Sequence, residues 1–451
     1  MSKIKCGYSK ACITPKLGTL VSGYYEKREA KEILDDLYVF AAAFDDGVKK
    51  AVVIAADIIM LSKATCDEYR KDIAKYCGIE FESILISCSH THTAPMIGPD
   101  FASDLHGDVE YEKEMVKAMC KVAKEALEDV KPSSFSVASG EAKNISFIRR
   151  FRMKDGSVQT NPGVGNPNID HALGTPNEEV KLLKIEREGG DDLYIVNFGT
   201  HPDSVGGEVI STDYPGYVRT TIEKALDGVK CIFLTGAQGN VNHINPMPTE
   251  GDRRGLDYDS FDGVPRGLDH AKHMGRAIAG AVLQICDKTV DINADEIEYG
   301  SNIVTIPSNQ DNSRLEEAKR IFELHATGKD SELPYSAMEL TTVVAEATRI
   351  VELSKGPDSF EFDLSALKLG EFAFAGIPGE PFVEIGLRIA AGSPFKDTFV
   401  CCLTNGGDSY FPSSSAYDEG GYEARSSYLK KGGDEIIING MTTLLKKIGG
   451  R

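Results

Sequence analysis

Two histidines one residue apart, His90 and His92, follow an apolar run in the segment SILISCSHTHTAP. Alternate residues of an extended chain point to the same side, so both imidazoles reach the same place. Imidazole is the commonest metal ligand in proteins. The spacing therefore indicates a metal site in which His92 binds the same ion as His90 or faces the substrate. A pair of hydrogen-bonded loop histidines without a metal is the alternative.

Two further segments carry candidate ligands beyond apolar runs. His201 lies in VNFGTHPD, and Glu380 lies in FAGIPGEP after a Pro-Gly turn. Ligands of α/β proteins bind at the carboxyl ends of strands, and a hydrolytic zinc site needs about three protein ligands and one open position. Taken alone, Glu380 is also explained as an acid at a helix N-terminus. Two strand-end histidine segments favour a shared metal site.

These side chains need strands to position them, and short apolar runs alternate with amphipathic segments along the chain. The alternation predicts an α/β fold, in which one large mixed-sheet catalytic domain spans residues 1–451, with helices on its faces. A smaller lobe is expected within residues 290–365. The predicted strands are 52–57, 83–88, 180–186, 193–198, 230–234, 360–367 and 371–376, and the predicted helices are 64–76, 111–130, 216–226, 269–287, 315–327 and 434–448.

Two long segments, 146–175 and 246–267, are rich in Gly, Pro, Asn and Asp and have neither helical nor strand periodicity. Loops of this length in compact proteins are usually functional. We expect both to be loops that shape a substrate pocket.

The composition of the chain limits the classes of partner that it can bind. The chain carries a formal net charge of −19, which argues against nucleic acid or an anionic membrane surface. Its apolar stretches are interrupted by charge and fall short of the about 20 residues that a membrane-spanning helix needs. The N-terminus lacks the apolar core of a secretory signal, and the ten cysteines show no CxxC spacing. We expect a cytoplasmic protein with a small-molecule substrate and no stable membrane insertion; homo-oligomer formation is left open.

Short motifs are spread along nearly the whole chain. In order they are GYSKACITP from Gly7, SGY from Ser22, AAD ending at Asp57, SHTHTAP around His90, GTH ending at His201, STDYPG from Ser211, GAQGNVN from Gly236, IPGE ending at Glu380, TN at Thr404 with Tyr410, and YEA from Tyr422. Together they resemble the catalytic region of the neutral/alkaline non-lysosomal ceramidase family. The HTH and PGE motifs are the most specific of the set.

The resemblance implies a zinc amidase with one catalytic Zn²⁺. Its metal ligands map onto His90, His201, Glu380 and Tyr410. The tyrosine is assigned across a longer spacing, because this chain has NGGDSY where the family has Asn-x-Tyr, and Tyr417 and Tyr422 lie close by as alternatives.

The remaining roles also follow from the resemblance. His92 corresponds to a residue at the substrate and is expected to pass a proton to the leaving amine, and Tyr410 adds a donor to the oxyanion. Arg149 corresponds to the arginine that faces the anion or carbonyl, although Arg150 is an alternative. The expected substrate-binding residues are Arg150, His243 and Tyr422, of which His243 is chosen for its position just beyond the segment Gly236–Asn242.

Several other residues have weaker assignments from their positions alone. The carboxylates expected to orient the imidazoles, or alternatively to cap turns, are Asp57, Asp203 and Asp213. His270 and His273 are expected on an exposed helix face.

The function that these features predict is hydrolysis of an N-acyl bond by metal-activated water. The alternatives are a zinc hydrolase of the same fold acting on a small polar ester or glycoside, an amidohydrolase-type barrel enzyme, and a binding protein without catalysis. Ceramide itself is not the expected substrate, because the chain ends after a predicted helix without the C-terminal β-sandwich of the extracellular family members.

Overall fold

The computed structural model describes residues 3–99, 105–248, 267–407 and 409–450. Its strands are β1 Lys5–Cys12, β2 Leu20–Val21, β3 Arg28–Glu29, β4 Glu32–Ile33, β5 Tyr38–Asp45, β6 Lys50–Ala56, β7 Ile84–Cys88, β8 Lys131–Glu141, β9 Phe147–Ile148, β10 Arg150–Met153, β11 Val158–Thr160, β12 Ile169–Ala172, β13 Glu179–Arg187, β14 Asp192–Phe198, β15 Val209–Ile210, β16 Val229–Thr235, β17 Val241–Asn242, β18 Val290–Ile292, β19 Ile297–Pro307, β20 Ser359–Leu369, β21 Phe372–Gly376, β22 Glu380–Pro381, β23 Asp397–Cys401 and β24 Tyr410–Phe411. Its helices are α1 Lys63–Cys77, α2 Val109–Glu128, α3 Asp213–Ala225, α4 Leu268–Ile285, α5 Leu315–Ala326, α6 Ala337–Leu353, α7 Val383–Gly392, α8 Ser414–Glu419, α9 Tyr422–Ser426 and α10 Gly433–Ile448.

The largest sheet is mixed and has nine strands in the order β16-β14-β13-β8-β1-β5-β6-β7, with β18 added beside β8. Its two edge pairs, β6 with β7 and β14 with β16, are parallel, whereas the strands between them are antiparallel. All five residues of β7 are buried, as expected for a strand covered on both faces. The mixed order shows that the alternative of an amidohydrolase-type barrel, which needs parallel strands throughout, is wrong.

The two edges of this sheet come together. Thr235, at the end of β16, donates a hydrogen bond of 3.0 Å to the carbonyl of Ser89, just after β7. A second sheet, in the order β19-β20-β21-β23, lies against the curled sheet. Phe374 and Phe399 of the second sheet share one buried core cluster with Phe44 and Ile232 of the first. As a result, strands β7, β14, β16, β21 and β23 all end in the same region.

Helices cover the outer surfaces. Helices α1 and α2 pack on β5 and β6, and α3 and α4 pack on β13, β14 and β16. Helices α7 and α10 cover the second sheet, while α5 and α6 form a hairpin with an apolar core of its own. Among the described residues, none of these helices has the length and hydropathy required to cross a bilayer.

The predicted α/β fold with a large mixed sheet is confirmed, and every predicted strand and helix has a counterpart in the structure. The prediction of a loop without strands over 146–175 is wrong. Strands β9 to β12 lie there, and each has only two to four residues, which is too short for an alternating pattern to show in the sequence. Most of the other predicted loop, residues 249–266 of 246–267, lies outside the described residues. The smaller lobe within 290–365 stays a prediction.

Candidate metal centre

His90 occupies a strained position directly beyond β7. Its φ angle of 71° lies in the left-handed region, which costs a residue with a side chain about 1–3 kcal/mol. The backbone N–H of His90 donates to the carbonyl of Ile58 at 3.0 Å, and Ser89 donates to Ala56 at 2.9 Å. These bonds to the turn after β6 hold the strained conformation. Backbone strain of this kind clusters at functional sites.

Backbone carbonyls fix the orientation of three imidazoles. Nδ1 of His90 lies 2.9 Å from the carbonyl of Ile59, and Nδ1 of His92 lies 3.0 Å from that of Gly23. Nδ1 of His201 lies 3.0 Å from the carbonyl of Gln238 and 3.1 Å from that of Val241. A carbonyl only accepts hydrogen bonds, so each Nδ1 carries a proton, and in the neutral ring each Nε2 presents a bare lone pair.

The three imidazoles converge. One ligand nitrogen from each of His90, His92 and His201 lies within 4.8 Å of the other two. The Oε2 atom of Glu380 lies 2.9 Å from Nε2 of His201 and 3.3 Å from Nε2 of His90. The side chains of His90, His201 and Glu380 are only 3%, 2% and 8% exposed. The three strand-end segments singled out in the sequence therefore meet in one buried place.

A cation fits this donor set. In the tautomers above, neither nitrogen next to Oε2 of Glu380 has a proton to donate, so lone pairs face each other at close range. Among the described residues, Oε2 of Glu380 and Nε2 of His92 have no hydrogen-bond partner although both are buried. Buried polar atoms without partners are costly. A metal ion accepts all of these lone pairs, and imidazole with carboxylate is a ligand set that suits zinc.

The pKa shifts follow from burial and from this mutual contact. Burial lowers the pKa of His92 to about 3, and burial together with the charge of Arg149 lowers the pKa of His201. Burial acts on His90 in the same direction, but the carboxylate of Glu380 outweighs it and raises the pKa of His90. For Glu380, burial is outweighed by the two imidazoles, which hold its pKa well below the usual range. The carboxylate is therefore ionised and favours a proton on His90, and a metal ion bound there competes with that proton.

Two polar side chains, those of Tyr410 and Arg149, lie beside the imidazoles. Tyr410 is paired with Glu380 across strands β22 and β24, and its hydroxyl lies 3.3 Å from Nε2 of His201. One guanidinium nitrogen of Arg149, NH2, donates to this hydroxyl at 3.2 Å and to the carbonyl of Gly239 at 2.8 Å. Burial is the largest cause that raises the pKa of Tyr410 well above its usual value, and Glu380 adds to it. The phenol is therefore protonated and is a hydrogen-bond donor.

A buried carboxylate aligns Arg149. Glu423 is fully buried and accepts from Nε of Arg149 at 2.5 Å and from Oγ1 of Thr160 at 3.2 Å. Arg150 points elsewhere: it donates to Glu419 at 3.0 Å and to the carbonyl of Gly420 at 2.8 Å. Of the two arginines left open by the sequence, the structure brings Arg149 to the imidazoles.

Other expected site residues differ in position. The Tyr422 ring packs edge-on against that of Tyr410 at 5.8 Å, whereas the Tyr417 hydroxyl lies 3.1 Å from that of Ser427. His243 packs 5.4 Å from His270, so it lies beside another histidine rather than within the group of three.

The environment of His270 differs from the predicted one. It was expected on an exposed helix face, but it is 9% exposed. Helix α4 lies so close to α3 that a Cβ on Gly275 would come within 2.3 Å of Tyr217, and the His270 ring packs 5.4 Å from that of His243.

The carboxylates expected to orient the imidazoles mostly have other partners. Asp57 forms a buried bidentate ion pair with Arg219, and Asp213 accepts from the N–H groups of Ser204 and Val205. Asp203 lies 3.9 Å from Nδ1 of His92, beyond the carbonyl of Gly23. Backbone carbonyls orient the rings instead, and no residue type in the sequence reveals this.

Residues that the sequence did not single out for roles also belong to the site. Glu423 aligns Arg149, and Gln238 and Gly23 supply carbonyls to imidazoles. Only their presence in the YEA, GAQGNVN and SGY motifs could have pointed to them.

Comparison with known proteins identifies the fold. No protein-family model matches the chain. The crystal structure of neutral ceramidase from Pseudomonas aeruginosa superposes with a TM-score of 0.74 at 17% sequence identity, covering 99% of this chain and 75% of that one. A structure of ceramidase complexed with C2 gives a TM-score of 0.70 at 17% identity, covering 99% of this chain and 76% of that one. The resemblance found in the motifs is confirmed at the level of the fold, which is that of neutral ceramidase.

Proposed function

We propose that this protein is a zinc-dependent hydrolase that cleaves the amide bond of a small N-acyl substrate. The observation that carries the proposal is the convergence of three bare imidazole nitrogens and one ionised carboxylate beside a phenol and an arginine. The neutral ceramidase fold supports the choice of an amide bond, since the neighbours that share the fold are ceramidases.

In this proposal His90, His201 and Glu380 hold the ion, and Tyr410 completes its surroundings through the hydroxyl next to Nε2 of His201. A zinc ion at this place supplies Lewis acidity, which polarises a carbonyl and makes water a better nucleophile at neutral pH. The ligand side chains are buried, so little water competes for the ion.

Arg149 and Tyr410 face the oxygen of the scissile carbonyl. Both are donors held in place, Arg149 by Glu423 and Tyr410 by its strand pairing with Glu380. Pre-aligned donors stabilise the negative charge that develops on that oxygen in the transition state, because they do not have to reorganise during the reaction.

His92 acts as a hydrogen-bond acceptor in this scheme. Its Nδ1 proton is committed to the carbonyl of Gly23, and its low pKa keeps the ring neutral. The bare Nε2 then accepts from water or from the amide N–H, or serves as a third imidazole ligand. The expectation that His92 passes a proton to the leaving amine stays a prediction, in which the bare Nε2 first takes that proton from water.

The substrate is proposed to be more polar than ceramide. The described side chains next to the imidazoles are phenols and ions, such as Tyr24, Tyr422, Arg149 and Asp203. Phenols and charges bind hydroxyl, amide or carboxylate groups better than an alkyl chain. An ester or a glycoside of similar polarity is the second candidate. The cytoplasmic location is proposed on the cysteines, all ten of which are free.

Zinc affinity is expected to fall as the pH is lowered. The pKa of His90 is raised, so below that pKa a proton occupies the Nε2 atom that the metal needs. Each displaced proton lowers the apparent affinity by about tenfold per pH unit. Competition with a chromogenic chelator between roughly pH 5 and pH 8, the range in which histidines titrate, measures the slope. An affinity independent of pH over this range would contradict imidazole ligation.

Substrate profiling tests the proposal. Protein reconstituted with zinc is assayed against N-acyl amino acids, N-acyl amines and N-acyl sphingosines, each beside an ester and a glycoside of matched size, and metal-stripped protein is the control. Amide turnover that disappears on stripping and returns with zinc is expected. Turnover of esters or glycosides with none of amides would favour the second candidate, and turnover equal in the stripped protein would contradict both.

A further inference from the structure

Residues 22–28, here called the strap, cross the metal centre on the side of His92. The carbonyl of Gly23 accepts the hydrogen bond from Nδ1 of His92 at 3.0 Å. Gly23 has a φ of 112°, and a Cβ there would come within 2.8 Å of Nδ1 of His92. The strap backbone is therefore in direct contact with one imidazole, and only glycine allows this approach.

Two adjacent tyrosines of the strap reach opposite sides of the site. The Tyr24 hydroxyl donates a hydrogen bond to Oδ1 of Asp203, and its ring lies 5.6 Å from that of His92. The Tyr25 hydroxyl lies 3.4 Å from that of Tyr422, whose ring packs against Tyr410. The strap thus joins the His92 side of the centre to the side formed by Tyr410 and Arg149.

Arg28 anchors the strap at its end. The side chain is buried and donates to the carbonyls of Ser22 at 2.5 Å and His92 at 2.9 Å through NH2, and to that of Gly207 at 2.9 Å through NH1. Its guanidinium also lies 4.0 Å above the ring of Tyr24. One arginine therefore connects three chain segments and fixes the ring of Tyr24 by a cation–π contact.

The exposure of side chains shows the direction of approach. The side chains of His201 and His90 are 2% and 3% exposed, that of His92 is 13% exposed, and that of Asp203 is 19% exposed. Exposure increases from the ion-binding atoms towards the pair formed by Tyr24 and Asp203. A substrate that reaches the centre from this side passes the strap.

The other tyrosine links the strap to the helical hairpin. Tyr25 packs against the apolar core of α5 and α6, and its ring meets that of His325 edge-on at 6.3 Å. The strap is therefore fixed at both tyrosines, to Asp203 on one side and to Tyr422 and the hairpin on the other. Opening it requires these contacts to break, together with the hydrogen bond from Nδ1 of His92 to the carbonyl of Gly23.

We infer that the strap closes over the metal centre and that Tyr24 and Tyr25 determine which substrates enter, selecting groups that hydrogen-bond to phenols over alkyl chains. The selection of substrate rests on the proposed function, whereas the control of access to the metal does not. Tyr24 and Tyr25 are specificity-determining residues in this inference.

Zinc removal tests the control of access without any substrate. The variants Tyr24→Phe and Tyr25→Phe keep each ring and remove one hydroxyl, and the control Tyr76→Phe changes a tyrosine that is 60% exposed on α1. Losing one hydrogen bond that holds the strap is expected to speed zinc release to excess chelator by roughly fivefold in each strap variant. Release at the parental rate in both strap variants, with folding intact, would overturn the inference.

Kinetics test the selection. Once a cleaved amide is known, Tyr24→Phe and Tyr25→Phe are expected to raise KM for polar substrates about fivefold relative to apolar ones of the same length. The expected cause is the loss of one hydrogen bond. Unchanged ratios of kcat/KM between polar and apolar substrates would show that Tyr24 and Tyr25 do not determine specificity. A parent protein that cleaves no amide, combined with faster zinc release from the strap variants, would refute the proposed function while leaving the control of access intact.

Discussion

Replacing Arg149 with methionine is expected to lower kcat by about 100-fold to 1,000-fold, the loss seen when one donor to a developing oxyanion is removed. Methionine keeps an unbranched stem but removes the charge and the donation from NH2 to the hydroxyl of Tyr410. The donors are proposed to act on the transition state, so KM changes far less than kcat. Zinc content stays at the parental level, because Arg149 binds no ion.

The controls for Arg149 address its neighbours. Removing the arginine breaks a buried ion pair and leaves Arg150, 3.9 Å away, as the charged partner of Glu423. Breaking a buried ion pair costs up to about 3–5 kcal/mol of stability. The double variant Arg149→Met with Glu423→Gln removes the charge of Glu423 as well and should show the same loss of kcat with better folding. Arg152→Met changes an arginine three residues further along, on β10, that donates to the carbonyl of Gly156, and it should be neutral. A variant at Arg149 that loses its zinc, or that only raises KM, would contradict the assigned role.

Replacing Glu380 with glutamine is expected to lower zinc affinity by more than about 100-fold. Losing a residue that only supports a metal ligand lowers metal affinity by at most about that factor. Glutamine retains the shape but removes the negative charge that lies 2.9 Å and 3.3 Å from two imidazole nitrogens. It also brings an amide N–H₂ group that can occupy the bare Nε2 atoms by hydrogen bonding. Calorimetric titration of stripped protein with zinc measures the change.

A matched control lies four residues further along the chain. Glu384 on α7 accepts a hydrogen bond from Asn240 at 3.0 Å, and Glu384→Gln should bind zinc as the parent does. Equal zinc affinity of the parent and Glu380→Gln would show that the carboxylate is not a ligand.

Positions at strand ends made the candidate ligands predictable. His90, His201 and Glu380 each follow a short run of buried apolar residues, and such runs are recognisable because strands covered on both faces have few polar residues. The rule that ligands bind at the carboxyl ends of strands then places the three together. The structure brings them within contact distance, as this reasoning anticipates.

The sequence could not predict how the strands are arranged. Strand β8, Lys131–Glu141, has a proline as its second residue and contains four serines, so its apolar signal is weak, yet it lies near the middle of the large sheet. The meeting of the two sheet edges, marked by the hydrogen bond from Thr235 to Ser89, depends on curvature that no local pattern encodes.

The orientation of the side chains within the site could not be predicted from the sequence either. A carboxylate near a histidine motif is the usual candidate for fixing the ring, yet carbonyls of Ile59, Gly23 and Gln238 perform this task here. A carbonyl exists at every residue and gives no signal in a sequence. The alignment of Arg149 by Glu423 spans 274 positions and is likewise visible only in three dimensions.

The most direct measurement of the central claim is anomalous diffraction at the zinc absorption edge from crystals of the protein grown with zinc. The account predicts a single strong peak within about 2.0–2.2 Å of Nε2 of His90, Nε2 of His201 and a carboxylate oxygen of Glu380. A peak at another place, such as beside His243 and His270, or protein that crystallises without zinc and retains full hydrolase activity, would contradict it.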